Sequence, residues 1–343
     1  MDWMNNFKIK MKGIKTRLKK VNIPKSPPML TIIEKTFFDL IKPIKFVVSL
    51  LIMLIQPLIL IMSPLMIGFG SVSTINVDFG SISVEHAASI ITIVLAYPLF
   101  SWTFGIVFTS ILGIFGAPLV AEEVDSGTIL ILVSKPINRY KIFLAKYIAL
   151  FLYGILLSFS IIFLVGWIAL IRYSGNISHF IGILPFLFSL FLYAILLTLI
   201  FTSITLAFSS IFKKSRNAAL AVILIVVLSF LGFPYIKALL QVNYERFQIY
   251  HFDIGYHLGN VFVLFIEIFD AIPPVAAWQI YFAQNFGVFK YVAYVDPDQN
   301  INLGGLEKTN YYLPVISLLI WIIIALLLLF YGFISIKKRE IYR

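Results

Sequence analysis

The amino-acid sequence predicts an all-α integral membrane protein with six transmembrane helices. The chain of 343 residues is 60% hydrophobic and only 13% charged, whereas soluble domains are about 25% charged. Six of its runs carry no Asp, Glu, Lys or Arg and are long enough to cross a bilayer. Because these runs lack the alternating pattern of barrel strands, and a backbone in lipid must satisfy its own hydrogen bonds, we expect helices.

The transmembrane domain is expected to cover residues 44–336. Its predicted spans are residues 44–70, 89–117, 147–171, 182–212, 217–236 and 313–336. The stretch Gly255–Asp270 is also apolar, but His257 and Glu267 interrupt it and leave an uncharged core that is too short to span. We expect this stretch to pack against, or dip into, the outer face of the membrane.

The basic residues predict the orientation of the chain. Eleven lie before residue 46, four between Glu122 and Lys146, three in Lys213–Arg216 and four in the tail, residues 337–343. With six spans, these 22 of the 27 basic residues fall on one side, which the positive-inside rule makes cytoplasmic. The net charge is then +15 inside and −4 outside, and both termini are cytoplasmic.

The segment before the first span has two predicted parts. Residues 1–28 form a lysine-rich cytoplasmic arm, and residues 29–43 form an amphipathic elbow helix that lies on the membrane surface and feeds the first span. The apolar face of the elbow helix consists of Leu30, Ile33, Phe37 and Leu40. Anionic membrane lipid accounts for the positive charge of the arm, so we expect no nucleic-acid partner.

A large segment, residues 237–312, separates the fifth and sixth spans on the side opposite the termini, and we call it the external segment. It is rich in aromatic residues, which favour the membrane interface. Pro273 and Pro274 suit the start of a helix. His251, Asp253 and His257 are close in sequence, but surface or interface histidines are favoured over a metal site, so we expect no bound metal.

Several kinds of chemistry are absent from the sequence. It contains no cysteine, no G-x-x-x-x-G-K-[ST] phosphate-binding loop and no H-E-x-x-H metal motif. The middle of each predicted span lacks charge, which ion- and proton-coupled transporters usually carry despite a cost of about 2.5–3.5 kcal/mol per residue. We therefore expect a non-catalytic chain that draws energy from another subunit.

The predicted spans do contain neutral polar residues near prolines. Those that are candidates for a weakly polar substrate path are Gln56, Ser101, Thr103, Thr198 and Thr202. Pro57 and Pro98 would kink their helices and free backbone carbonyls nearby. Helix packing and dimer contacts are the alternative interpretation of these residues, and both interpretations stay open.

One dense polar segment, "EEVDSGTILILVSKPINRYKIFLAKY", lies between the second and third predicted spans, from Glu122 to Tyr147. It combines acids, bases, a Ser-Gly turn and a Lys-Pro step. Two short helices around a break would hold these charges at the cytoplasmic surface. On physical grounds the segment is either an amphipathic connector that obeys the positive-inside rule or a docking surface for a protein partner.

The amino-acid pattern of this segment resembles the first cytoplasmic loop of ABC-transporter permeases of the type 2 exporter superfamily. The residues that carry the resemblance are Glu122, Gly127, Thr128, Ser134, Lys135, Pro136, Arg139 and Lys146. The resemblance implies that residues 119–146 form a coupling segment that sits on a separate ATPase subunit. The residues it implies for that contact are Glu122, Glu123, Asp125, Gly127, Thr128, Ser134, Lys135, Pro136 and Arg139.

The resemblance also implies partners and a function. Two ATPase subunits would bind ATP and Mg, and this chain, which holds no cofactor, would pair with a second permease as a homo- or heterodimer. The pair would export an amphiphilic or hydrophobic substrate across the cell membrane of a prokaryote. The alternative is a subunit of the same fold that conveys ATPase motion to an external partner protein without passing cargo. A stand-alone channel or an intramembrane enzyme fits less well, because the spans lack charge and catalytic groups.

Overall fold

The computed structural model describes residues 28–62, 83–126, 138–173, 176–240, 242–271, 277–292 and 305–338. Within these ranges, six helices are long and apolar enough to cross a membrane. We call them spans 1 to 6: Pro43–Met62, Val84–Glu123, Tyr140–Tyr173, Ile177–Ile211, Ser215–Leu240 and Pro314–Ile336. The predicted six-helix membrane fold is confirmed, while residues 1–27 of the basic arm and the last five residues lie outside the described residues.

Span 4 lies at the centre of the helix bundle. It packs against spans 2, 3, 5 and 6, whereas in spans 1, 5 and 6 only 22% of the most apolar 18-residue window is buried. Small residues allow the close approach that helix association in lipid requires. A Cβ atom added at Gly154 of span 3 would lie only 2.5 Å from the Cγ2 atom of Thr198. Spans 1, 5 and 6 thus form the outer faces of the bundle.

A helix at Pro28–Leu40 precedes span 1 and packs against span 3. Leu40 is buried in the core and Phe37 packs against it, while Leu30 is exposed. Span 1 begins at Pro43, where a proline fits because the first helical amide has no partner inside the helix. The predicted elbow thus exists as a helix, and its contact with the membrane surface stays a prediction.

Span 2 changes its helical type along its length. It begins at Val84, where the Ser83 hydroxyl accepts a hydrogen bond from the His86 amide (3.3 Å). After Pro98, which has no amide hydrogen, the chain forms a π-helical stretch, Leu99–Phe108. The α-helix then resumes at Thr109–Gly116. Because π-helical turns are rare and concentrate at functional sites, this stretch is a candidate for one.

The external segment contains one well-buried helix, Ile254–Ile268, which packs against spans 4 and 6. The Asp253 side chain caps it by accepting a hydrogen bond from the Tyr256 amide (2.9 Å). Other short helices in this segment are Val242–Arg246, Ile249–His251 (3-10) and Ala277–Tyr281. The apolar stretch that is too short to span therefore packs against spans 4 and 6, and its predicted contact with the outer face of the membrane stays a prediction.

Two short antiparallel strands complete the external segment, and sequence reasoning did not foresee them. A π-helical turn, Phe282–Phe286, ends at Gly287, whose positive φ of 73° turns the chain away. Strand β1 (Phe289–Val292) then pairs with β2 (Gly305–Lys308), with Phe289 opposite Lys308. The alternation of aromatic, charged and β-branched residues in β1 favours an extended conformation.

Candidate coupling site and transport path

A short helix, Pro118–Asp125, forms the end of span 2 that the basic residues predict to be cytoplasmic. Because the proline at its start interrupts the backbone ladder, nearby amides and carbonyls need other partners. The buried Ser209 hydroxyl of span 4 accepts hydrogen bonds from the amides of Val120 (3.1 Å) and Ala121 (3.0 Å). It also donates to the Ala117 carbonyl (2.6 Å). One side chain of span 4 thereby anchors the first turn of this helix.

An ion pair between a buried lysine and a half-buried glutamate joins the two ends of the predicted coupling segment. Lys146 of span 3 is only 4% exposed, and its ammonium pairs with the Glu123 carboxylate. The same ammonium donates to the Leu119 carbonyl. Removing either charge would leave the other partly desolvated and unpaired, which is strongly unfavourable. The pair therefore clamps the end of span 2 to the start of span 3.

The carboxylates of the Pro118–Asp125 helix fall into two groups. Glu123 faces Lys146, whereas Glu122 and Asp125 are exposed. The Ser126 hydroxyl donates to the Glu122 carbonyl (2.7 Å) and closes the last turn. Of the predicted coupling residues with described side chains, Glu122 and Asp125 therefore suit contact with a partner, and Glu123 suits holding the segment in place.

Five predicted coupling residues lie outside the described residues. They are Gly127, Thr128, Ser134, Lys135 and Pro136. Arg139 begins the helix that continues as span 3, but its side chain also lies outside the description. The roles proposed for these six residues stay predictions.

Sequence reasoning missed two residues of this site. Ser209 gave no usable signal, because a serine near a span end resembles many others. Lys146 was recognised as part of the motif but not as an anchor. Its position directly before the charge-free run that starts at Tyr147 was the available signal, since a lysine at that depth needs a partner.

One predicted path residue, Thr103, joins spans 1 and 2. Its hydroxyl donates to the Met53 carbonyl (3.0 Å), the acceptor that Pro57 leaves without an amide four residues later. The neighbouring Trp102 indole donates to the Ile52 carbonyl (3.1 Å). Span 2 therefore satisfies the backbone groups at the proline of span 1, and the Thr103 hydroxyl is already engaged.

The other path candidates differ in what their polar atoms contact. The hydroxyls of Ser101, Thr198 and Thr202 donate to carbonyls of their own helices, at 2.8, 2.6 and 2.5 Å. All three side chains are buried. Gln56 of span 1 is half-buried, and its side-chain oxygen has no partner among the described residues. The geometry favours helix packing for the three hydroxyls, and a path stays a prediction that Gln56 fits best.

Five buried aromatic side chains surround the buried ring of Phe100, and we call these six residues the aromatic hub. They are Phe100, Tyr193, Phe230, Phe262, Phe282 and Phe286. The ring centroids of the other five lie 4.7 to 5.9 Å from that of Phe100. Phe100, Phe230 and the pair Phe282–Phe286 belong to three separate π-helical stretches, the second being Leu228–Gly232 in span 5. The hub thus connects spans 2, 4 and 5 to the external segment.

Several polar contacts hold the external segment together, and one of them reaches span 6. Asp253 accepts a hydrogen bond from the Tyr244 hydroxyl (2.7 Å), and burial raises the pKa of its carboxyl to about 6. His257 contacts the Ser317 hydroxyl (3.1 Å). His251 contacts the Tyr312 hydroxyl (2.5 Å) instead. These groups face different partners, and within the described part of the chain no three His, Asp or Glu residues are placed to share a metal ion.

Comparison with known proteins identifies the family. The chain matches the sequence profile of the family described as ABC-2 family transporter protein over residues 30–335. A comparison with curated proteins finds no match. The matched range runs from the elbow helix into span 6, so it includes the coupling and external segments. This multi-pass membrane protein therefore belongs to the ABC-2 transporter family and is a membrane permease component of an ABC transporter.

Proposed function

We propose that this permease exports an amphiphilic or hydrophobic substrate with energy from ATP hydrolysed by a separate ATPase subunit. The observation that carries the proposal is the anchored Pro118–Asp125 helix. It leaves Glu122 and Asp125 exposed at the end of span 2 that is predicted to be cytoplasmic, while Ser209 and Lys146 tie it to spans 4 and 3. The absence of a phosphate-binding loop and of charge in the middle of the spans supports an external source of energy.

In the proposed mechanism, two ATPase subunits close on ATP and Mg and displace the coupling segment of each of two permeases. Because the segment is anchored to spans 3 and 4, a displacement of Glu122 and Asp125 by the ATPase also moves the helices at the centre of the bundle. A flexible loop without these contacts would not transmit the displacement. Spans 1, 2 and 5 then repack about the axis between the two permeases. The chain itself catalyses nothing, and the assembly acts in the cell membrane of a prokaryote.

The double substitution Glu122→Ala with Asp125→Ala tests the docking surface. The tagged variant and the tagged wild-type chain are purified from the membranes of the cells that produce them. We expect the variant to copurify with much less of the ATPase chain than the wild type does. We also expect it to lose most of the coupled ATP turnover. Glu85→Ala is the matched control, because Glu85 lies in the first turn of span 2 at the opposite membrane face. Unchanged association and turnover in the double variant would contradict the assignment.

A second function, transmission of ATPase motion to an external partner protein, is supported by the aromatic hub. The hub connects span 2, which ends in the coupling segment, to the external helices through Phe262, Phe282 and Phe286. ATP turnover in lipid discs separates the two functions. Stimulation by an added amphiphile supports export, whereas stimulation only by an external protein supports transmission.

A further inference from the structure

Tyr193, in the middle of span 4, is fully buried, yet its hydroxyl has no hydrogen-bond partner among the described residues. Aromatic rings surround it instead. The ring centroids of Phe100 and Phe262 lie 5.6 and 5.1 Å from that of Tyr193. A buried hydroxyl without a partner has lost its hydrogen bonds to water without replacing them, which destabilises the packed arrangement. The Tyr193 hydroxyl therefore opposes the arrangement in which it lies.

The other fully buried tyrosines show how unusual this hydroxyl is. Four tyrosines among the described residues are fully buried: Tyr153, Tyr193, Tyr244 and Tyr256. The hydroxyls of the three besides Tyr193 contact, in chain order, the Ser49 hydroxyl (3.4 Å), the Asp253 carboxylate (2.7 Å) and the Tyr312 amide (3.3 Å). A phenylalanine in place of Tyr193 would fill the same space without an unpaired polar group. The closed packing of the hub thus gives no reason for a hydroxyl here.

The backbone beside Tyr193 has an uncommon conformation. Phe100 belongs to the π-helical stretch Leu99–Phe108, and π-helical turns are rare and frequent at functional sites. A Cβ atom added at Gly105 of this stretch would lie 2.6 Å from the Phe230 ring and 2.8 Å from the Phe100 carbonyl. Because π- and α-helical turns contain different numbers of residues, a change between them rotates the helix beyond. Such a change in span 2 would move the Phe100 ring away from Tyr193.

We propose that the aromatic hub is a joint with two states. In the closed state, which this structure shows, the rings pack together and the Tyr193 hydroxyl lacks a partner among the described residues. In the open state, the rings separate and the hydroxyl forms hydrogen bonds with water or with a polar group that enters. Tyr193 thereby limits the stability of the closed state. The place of the open state in the export cycle rests on the proposed function, whereas the joint itself does not.

Tyr193→Phe tests the joint, because it removes the hydroxyl and keeps the ring. Hydrogen-exchange mass spectrometry is performed on the purified full chain in detergent, without the ATPase. We expect Ile254–Ile268 and Phe282–Phe286 to exchange more slowly than in the wild-type chain. The effect should be about 5- to 100-fold for amides that exchange through opening of the hub, as removal of an unpaired buried hydroxyl implies. We also expect the melting temperature to rise.

Tyr153→Phe is the matched control. Tyr153 is equally buried, but it lies in span 3 outside the hub, and its hydroxyl contacts that of Ser49. We expect this variant to have a lower melting temperature and no slower exchange in the two external helices. Unchanged or faster exchange of these helices in Tyr193→Phe would overturn the proposal, as would an equal slowing in Tyr153→Phe.

Gly105→Ala shifts the same equilibrium in the opposite direction and covers the case in which Tyr193→Phe does not fold. Its methyl group would press on the Phe230 ring and the Phe100 carbonyl, so the closed state becomes less stable. We expect faster exchange in Ile254–Ile268 and Phe282–Phe286. Unchanged exchange in these helices would contradict the proposal. Gel filtration of each variant establishes that it is folded.

Coupled ATP turnover of the complex with the ATPase tests the place of the joint in the export cycle. We expect Tyr193→Phe to turn over ATP more slowly than the wild-type chain although it is more stable. A tyrosine with a purely structural role would not produce these opposite effects. Slower exchange together with unchanged turnover would overturn the place of the joint in the cycle. Because exchange is measured on the chain alone, its result does not depend on the proposed function.

Discussion

At the residue scale, this protein places polar groups in apolar surroundings and gives the important ones hydrogen-bond or ion-pair partners. Ser209 bonds to backbone groups about 90 residues away in the chain, and Lys146 pairs with Glu123 across the coupling segment. Asp253 is almost fully buried and receives two hydrogen bonds. Burial is the dominant influence on this carboxyl, so its charge state links the stability of the external segment to pH.

Asp253→Asn should remove a pH dependence of stability. Burial raises the pKa of Asp253 from 3.8 to about 6. Between these values the native state binds more protons than the unfolded state, so the unfolding free energy falls as pH rises, by about 3 kcal/mol in total. Asparagine keeps the helix cap but does not titrate. We expect the melting temperature of the variant, relative to wild type, to rise between pH 4.5 and 7.5.

The comparison of the two chains isolates Asp253 from its surroundings. Lys237, Tyr244 and Tyr256 face this carboxyl, and burial lowers the pKa of the nearby His257. These groups are present in both chains, so their contributions largely cancel in the difference. A melting-temperature difference that stays constant from pH 4.5 to 7.5 would contradict the assignment.

At the element scale, the notable feature is that three π-helical stretches meet at the aromatic hub. A π-turn has a poorer backbone geometry than an α-turn, so packing must stabilise it. Gly105 lets the π-helical stretch of span 2 approach Phe230, because an added Cβ atom would lie 2.6 Å from that ring. Aromatic pairs contribute about 0.5–1.5 kcal/mol each beyond the burial of area, and Phe100 makes five.

Phe100→Ala should loosen the external segment from span 2. We expect faster backbone hydrogen exchange in Ile254–Ile268 and Phe282–Phe286, because both lose their ring contacts to Phe100. Exchange in Pro118–Asp125 should not change, since Ser209 and Lys146 hold that helix. Hydrogen-exchange mass spectrometry measures all three segments in one experiment.

Phe163→Ala is the matched control for this prediction. Phe163 lies on span 3 and is 51% exposed, so its removal deletes the same ring from a lipid-facing surface. We expect little change in exchange in the external segment. An equal effect of the two substitutions, or an effect of Phe100→Ala spread over all the spans, would argue against the hub as a specific link.

At the scale of the whole molecule, two regions on opposite membrane faces are joined through the central spans. The coupling segment is anchored to spans 3 and 4, and the aromatic hub joins spans 2 and 4 to the external segment. Spans 1, 5 and 6 leave apolar side chains exposed, which suits lipid and a second permease. The assignment of these two faces to the inside and the outside of the cell depends on the orientation that the basic residues predict.

The orientation can be tested with single cysteines, because the native chain has none. Tyr291→Cys, at a side chain that is 59% exposed, should react with a membrane-impermeant thiol reagent in intact cells. Lys213→Cys, in the exposed turn between spans 4 and 5, should react only after the cells are opened. The opposite pattern of labelling would show that the chain has the inverse of the predicted topology.

Hydropathy and charge in the sequence alone predicted the six spans, and also that the apolar stretch around Ile254–Ile268 is too short to be a further span. These properties are local, so a window of the chain contains all the information needed. The first and last residues of the helices were harder to predict from the sequence. Span 3 includes Tyr140 to Lys146, which the charge-free run excludes, because the partner that compensates Lys146 lies 23 residues earlier.

The sequence by itself determined that this chain spans a membrane, and its motif pointed to the family and to the coupling segment. Composition and motif spacing are properties of the linear sequence, so no tertiary contact is needed to recognise them. Only the tertiary structure decided that the Thr103 hydroxyl donates to the Met53 carbonyl that Pro57 leaves without an amide partner, and that three π-helical stretches share one hub. Each of these facts joins residues far apart in sequence, and packing alone brings them into contact.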